Sequence, residues 1–178
     1  MKFLGIVSSP RRRGNTALLV EEVLFGAKNR GAEVEIFYVG DLNINPWTED
    51  DIEDDMKLIY RAVEGLREND IIVFGAPVYH DHVSAQAKIV TDRFAFYEDE
   101  KSFPKGVKAV MVLTYEWDNP EGYDHVLDWL KQTFKRYYQV ETVAALKAWN
   151  TTKKPVNQRP DLLRKAKDLG ENLAENPS

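Results

Sequence analysis

The sequence predicts an α/β fold built on a doubly wound, five-stranded parallel sheet of order 2-1-3-4-5, with helices on both faces. Three observations carry the prediction. Short continuous apolar runs, the pattern of strands buried on both faces, recur along the chain. Amphipathic helical patterns separate them, so strand and helix alternate five times. Right-handed crossovers then restrict the order in which parallel strands can lie.

Each element follows in turn. Phe3 to Val7 is the first buried strand. Asn15 and Thr16 open a helix striped by Leu19, Val20, Val23, Leu24 and Ala27, and Gly31 ends it. Val34, Ile36 and Tyr38 alternate with polar residues as a second strand, and a loop runs from Gly40 to about Asp50. Ile52, Met56, Ile59, Tyr60, Val63 and Leu66 trace the second helix. Ile71 to Phe74 is the third strand, stopped by Gly75-Ala76-Pro77, and Ala85 to Phe96 the third helix. Val107 to Leu113 is the fourth strand, followed by a loop holding Tyr115 to Gly122. Val126, Leu127, Leu130 and Phe134 stripe the fourth helix, and Val140 to Leu146 is the fifth strand. Leu162, Leu163, Ala166, Leu169 and Leu173 mark the last helix, with fraying expected from about Asn172. With no repeat or linker, residues 1–178 are expected to form one domain.

Composition narrows the function classes. Hydrophobic residues are 43% and charged residues 30%, as in a globular chain. The net charge is −5 with basic and acidic residues interspersed, which speaks against a nucleic-acid surface. The absence of cysteine excludes thiolate nucleophiles and Cys-ligated zinc or iron–sulfur clusters within this chain. No apolar run is long enough for a membrane span, and the first residues do not form a signal peptide, so a cytoplasmic location is expected.

Two loops carry the chemistry. Ser8 to Thr16 lies between a buried strand and a helix start, where backbone N–H groups and the helix dipole converge on an anion. Ser9, Arg11, Asn15 and Thr16 add donors, and Gly14 lets the backbone turn and approach closely. The loop ends Gly14-Asn15-Thr16, without the lysine of a Walker loop, and lacks the three glycines of a dinucleotide fingerprint. What remains suits a single terminal phosphate bound without magnesium, such as that of FMN. The same residues also suit an ordinary N-cap turn with solvated arginines. The second loop, Gly75 to Gln86, lies at the carboxyl edge of the third strand. In a sheet of this order the two loops flank the topological switch point, the usual ligand crevice. A planar ring could lie there against the backbone of Val78 to His80.

Ser9-Pro10-Arg11 with Gly14-Asn15-Thr16, then Ala76-Pro77-Val78-Tyr79, then Ser84-Ala85-Gln86-Ala87-Lys88 and Asp92-Arg93, resemble the NADPH-dependent FMN reductase family. Within it, the iron–sulfur flavoprotein branch is most similar, over about the first 115 residues. The resemblance implies a flavodoxin-like fold, with FMN phosphate contacts from Ser9, Arg11, Asn15 and Thr16. It implies ring contacts from Pro77, Val78, Tyr79, His80 and Ser84. It also implies NAD(P)H as co-substrate and a homodimer or homotetramer with the flavin near a subunit interface. The chain departs from that branch in the segment Asn43 to Asp51, which holds no cysteine. It departs again after strand four, where the bulky Tyr115–Tyr123 stretch replaces a glycine-rich loop and is expected to reach the ring edge with Tyr115.

The expected function is an FMN-dependent NAD(P)H oxidoreductase serving a quinone, a flavin or another acceptor. The alternative is a non-catalytic FMN-binding electron-transfer or interaction protein. No acid–base residue is assigned as catalytic, because the cofactor carries the chemistry. His80 and His82 give only a weak metal pattern, and no metal is expected. Glu49 to Asp55 is expected to complement the positive end of the second helix, with Thr48 or Asp50 as cap.

Overall fold

The computed structural model describes residues 1–49, 54–95 and 103–176. The elements are β1 (Lys2–Val7), α1 (Asn15–Asn29), β2 (Glu33–Tyr38), α2 (Met56–Glu64), β3 (Ile71–Tyr79), β4 (His82–Val83), α3 (Ala85–Ala95), β5 (Lys108–Thr114), α4 (Asp124–Tyr138), β6 (Glu141–Ala148) and α5 (Pro160–Glu175). The five long strands are parallel in the order β2-β1-β3-β5-β6, the flavodoxin-like order read from the sequence; the two-residue β4 pairs antiparallel with β3.

Side-chain alternation along the central strands divides the core. Phe3, Ile71, Val73, Val110 and Val112 face α1 and α5, while Leu4, Ile6, Ile72, Phe74, Met111 and Leu113 face α2, α3 and α4. Helices α1 and α5 press together through two glycines. A Cβ on Gly26 would overlap the Lys167 carbonyl oxygen, and one on Gly170 would overlap the Val23 carbonyl oxygen. Tyr138 sits among Phe94, Phe103 and Phe134, its hydroxyl donating to the Thr91 carbonyl at 2.6 Å.

The chain departs from sequence expectation in two places. Strand β3 does not stop at Gly75: Gly75, Ala76 and Pro77 pair with Val112, Leu113 and Thr114, and the strand runs on to Tyr79. Strand β1 ends opposite Gly75, so beyond it β3 loses one neighbour, and a proline there costs the sheet little. Two residues with positive φ, His80 (48°) and Asp81 (64°), then turn the chain back into β4.

The loop after β2 is pinned in a way the acidic run did not announce. Asp54, with its side chain 1% exposed, pairs with Arg93 at 2.6 Å and accepts the N–H groups of Asn45 and Met56 at 2.9 Å. Burial pushes the Asp54 carboxyl up, but the Arg93 hydrogen bond and the two N–H donors outweigh it and hold the group below the usual carboxylate range. Asp55 accepts the Asn43 N–H at 2.7 Å. Ile52, Asp50, Asp51, Glu53 and the helix end expected at Phe96 lie outside the described residues; Thr48, the other expected cap, does not adjoin α2, where Asp55 takes the N-cap position without a side-chain cap bond. Among the described residues no helix is long and apolar enough to cross a membrane.

Candidate functional site

Parallel strands deliver the loops after β1, β3, β5 and β6 to one edge of the sheet. There they enclose a cleft of about 600 Å³. Ten of the eleven residues expected from sequence line it: Ser9, Arg11, Gly14, Asn15, Thr16, Pro77, Val78, Tyr79, His80 and Tyr115.

One end of the cleft is the start of a helix. Helix α1 starts at Asn15 with Gly14 before it, no side chain caps it, and no acidic residue occupies its first turn. The Gly14 N–H donates to the Arg11 carbonyl at 3.1 Å, and the first bond from the helix back to Gly14 comes from the Leu18 N–H at 3.2 Å. The N–H groups of Asn15, Thr16 and Ala17 therefore have no acceptor among the described residues. Unpaired N–H groups and the positive end of the dipole together favour a bound anion. A Cβ on Gly14 would lie 3.1 Å from the Arg11 Cβ and 3.2 Å from the Arg11 carbonyl, so the tight loop suits glycine.

The arginines divide their tasks. Arg12 is committed to Asp41 at 2.6 Å and lies 3.5 Å above the Tyr38 ring. Arg11 has no ion-pair partner among the described residues and lines the cleft. Ser9 accepts the Arg11 N–H at 3.1 Å, which shapes the loop. The buried Thr16 hydroxyl bonds that of Thr114 at 2.7 Å and ties the helix start to the end of β5. The Asn15 side-chain oxygen accepts the Val156 N–H at 2.8 Å.

The other end is lined by aromatic residues. The extended β3 brings Pro77 to Tyr79 along its floor, and the β3–β4 turn adds His80 and Asp81. The loop after β5 roofs it. Tyr115 and Tyr123 meet edge to face at 5.0 Å, Trp117 meets Tyr123 at 5.6 Å, and the Trp117 ring lies against Gly122. Tyr123 donates to Asp81 at 2.7 Å and so bridges the roof to the β3–β4 turn. On the far side Thr151 N–H donates to the Tyr115 carbonyl at 3.1 Å, and the Thr152 hydroxyl to Glu116 at 3.1 Å. Burial pushes the Tyr115 phenol up to about 12, so it stays a neutral donor, given to the Pro120 carbonyl at 2.9 Å.

Ser84 is the expected contact that does not line the cleft. It is fully buried, donates to the Ser8 carbonyl at 2.6 Å and accepts the Ala87 N–H at 3.2 Å. It thereby caps α3 and clamps the end of β1 to the β4 hairpin. His82 packs against Trp129, ring centroids 4.6 Å apart. Asp81, Thr114, Glu116, Tyr123, Thr151 and Thr152 line the cleft although they were not assigned to it from sequence. The two threonines follow β6 without any glycine-rich signal. Only the rule that every loop after a parallel strand reaches the same edge could have found them.

A family model described as NADPH-dependent FMN reductase matches residues 1–154. An iron-sulfur flavoprotein of Methanocaldococcus jannaschii is 38% identical over 102 residues, 52% of this chain and 51% of that protein. One from Archaeoglobus fulgidus is 32% identical over 124 residues, 65% of this chain and 54% of that protein. The chain thus spans about half the length of the curated relatives it matches. Among solved structures, an NAD(P)H:quinone oxidoreductase from Methanothermobacter marburgensis superposes with a TM-score of 0.74 at 15% identity, covering 97% of this chain and 98% of that one. An FMN-dependent NADH-azoreductase from Bacillus anthracis, in complex with FMN, gives 0.74 at 13%, covering 98% and 100%. These two likenesses establish the shared fold.

Proposed function

The chain belongs to the NADPH-dependent FMN reductase family, and from that premise we propose that it is an FMN-dependent NAD(P)H oxidoreductase serving a quinone, a flavin or a similar acceptor. The observation that carries the proposal is the uncapped start of α1, with three N–H groups that have no acceptor among the described residues and Arg11 beside it, opening into the cleft. These groups fit a phosphate monoester. They supply donors and positive potential, with no acidic side chain in the first helical turn and no lysine for further phosphates.

In this proposal Ser9, Arg11, Gly14, Asn15 and Thr16 hold the phosphate, while Pro77, Val78, Tyr79, His80 and Tyr115 border the ring. Bound there, FMN supplies the two-electron chemistry that accepts hydride from a nicotinamide and passes reducing equivalents on. The protein's own part is positional. Backbone groups of the extended β3 orient the ring, and the aromatic packing of the Tyr115–Tyr123 loop keeps water from one side of the cleft. Without a cysteine, the chain offers no thiolate to an iron–sulfur cluster. Exposed aromatics at the mouth, Tyr79 at 37% and Trp117 at 52%, support a homodimer or homotetramer that covers the ring end. The cytoplasm, where NAD(P)H is made, is the proposed location.

The test is titration of the purified protein with FMN, followed by anaerobic NADH or NADPH oxidation with a quinone supplied. Tight FMN binding with nicotinamide turnover is expected. The Tyr123–Asp81 bridge across the cleft mouth favours one rival, a flavoprotein that transfers electrons to a docked partner. FMN binding without oxidation of either nicotinamide would select that rival.

A further inference from the structure

Asn15 and Val156 are 141 residues apart, yet the Val156 backbone N–H donates to Asn15 Oδ1 at 2.8 Å. A backbone N–H can only donate, so the amide must turn its oxygen toward Val156. The NH₂ group is then the polar side-chain function that Asn15 can present to the cleft it lines, beside its own backbone N–H. A freely rotating amide would spend part of its time with its oxygen toward an anion, which repels it.

The donor is held firmly. Val156 is fully buried in the core layer shared by α1 and α5, and it opens a 3₁₀ turn, Val156–Gln158. The Lys154 N–H donates to the Asn150 carbonyl at 2.8 Å and the Arg159 N–H to the Val156 carbonyl at 2.9 Å. Beyond it, α5 is locked onto α1 through Gly26 and Gly170. We propose that the Val156 N–H is a positioning group for anion binding. It orients the Asn15 amide so that its NH₂ donates to the phosphate. The segment from Pro155 onward, beyond the part matched by the family model, thereby belongs to the binding machinery. The inference rests on the phosphate site proposed above.

Val156→Pro tests it, because proline deletes the N–H and keeps an apolar side chain. Proline suits the first position of a helical turn. Pro155, at ψ 154°, already has the extended backbone that a residue before proline requires. The variant should bind FMN about 10-fold more weakly or worse, since a hydrogen bond to a charged group loses its orientation. Riboflavin shares the ring and lacks the phosphate, so its affinity should stay within about twofold. In an Asn15→Ala background, Val156→Pro should have no further effect on FMN affinity. An FMN affinity equal to wild type in a folded Val156→Pro protein overturns the inference, as does an equal loss for FMN and riboflavin. If the variant does not fold, NMR of the wild-type protein decides. The Asn15 NH₂ resonances should shift with FMN or inorganic phosphate and stay in place with riboflavin; equal shifts with both flavins overturn the inference. A wild-type protein that prefers FMN to riboflavin while Val156→Pro behaves identically sinks this inference alone. A wild-type protein that binds no FMN sinks the functional proposal with it.

Discussion

Replacing Asn15 with aspartate separates anion binding from helix stability. The Val156 N–H keeps one side-chain oxygen occupied in either residue, so the change falls on the other position. In the proposed site, an NH₂ donor there becomes a carboxylate oxygen facing the phosphate. Losing a hydrogen bond to a charged acceptor costs about 1.5–3 kcal/mol. Two unit charges 4 Å apart near a protein surface repel by up to about 4 kcal/mol, and solvent in an open cleft screens part of this. Together they give about 3–5 kcal/mol, a loss of roughly two to three and a half orders of magnitude in FMN affinity. The apo protein should respond in the opposite sense. The first turn of α1 holds no acidic residue, and a carboxylate there gains about 0.3–1 kcal/mol from the helix dipole. Its melting temperature should hold or rise by roughly 1–4 °C. Fluorescence titration with FMN and with riboflavin, beside thermal unfolding without ligand, measures both halves. Unchanged FMN affinity, or an equal loss for the two flavins with a falling melting temperature, would refute the reasoning.

Removing Arg93 by Arg93→Ala leaves the Asp54 carboxylate buried without its cation, at a cost of about 3–5 kcal/mol in urea or thermal unfolding. Asp54 is held below its ordinary value, so the stability it contributes is complete above about pH 4 and is lost as pH falls through the folded-state value. The stability gap between wild type and Arg93→Ala should therefore narrow below about pH 4; a gap independent of pH would count against the ion pair. Gly170→Ala forces a methyl group against the Val23 carbonyl and within 2.9 Å of the Ala27 nitrogen. It should cost about 2 kcal/mol and lower the melting temperature by about 4–8 °C, with no loss if the helices can part freely. Tyr123→Phe removes the bridge to Asp81 and should change the KM for a bulky quinone while FMN affinity stays within about twofold; identical acceptor kinetics would show that the bridge does not restrict the mouth.

The layout of the fold was written in local pattern. Continuous apolar runs at Phe3–Val7, Ile71–Phe74 and Val107–Leu113 can be buried on both faces only within a covered parallel sheet, and the helical stripes between them supply the cover. The turn and helix start at Gly14-Asn15-Thr16, which line the cleft, were equally legible, because a turn after a buried strand is a local arrangement. Gly75-Ala76-Pro77 misled, since glycine and proline read as a stop while pairing with β5 carries the strand to Tyr79. Ser84 misled too. Nothing in its neighbours in the chain shows that its hydroxyl turns to the Ser8 carbonyl, 76 residues away.

The sequence by itself determined the order of elements and the two faces of the core, because these depend on neighbours within a few positions. Tertiary structure alone decided which way the Asn15 amide points, how Tyr123 meets Asp81, and that Thr151 and Thr152 join the cleft. Each of those depends on groups dozens of residues apart meeting at hydrogen-bond distance. Only the packed sheet, with α5 locked onto α1, sets that distance.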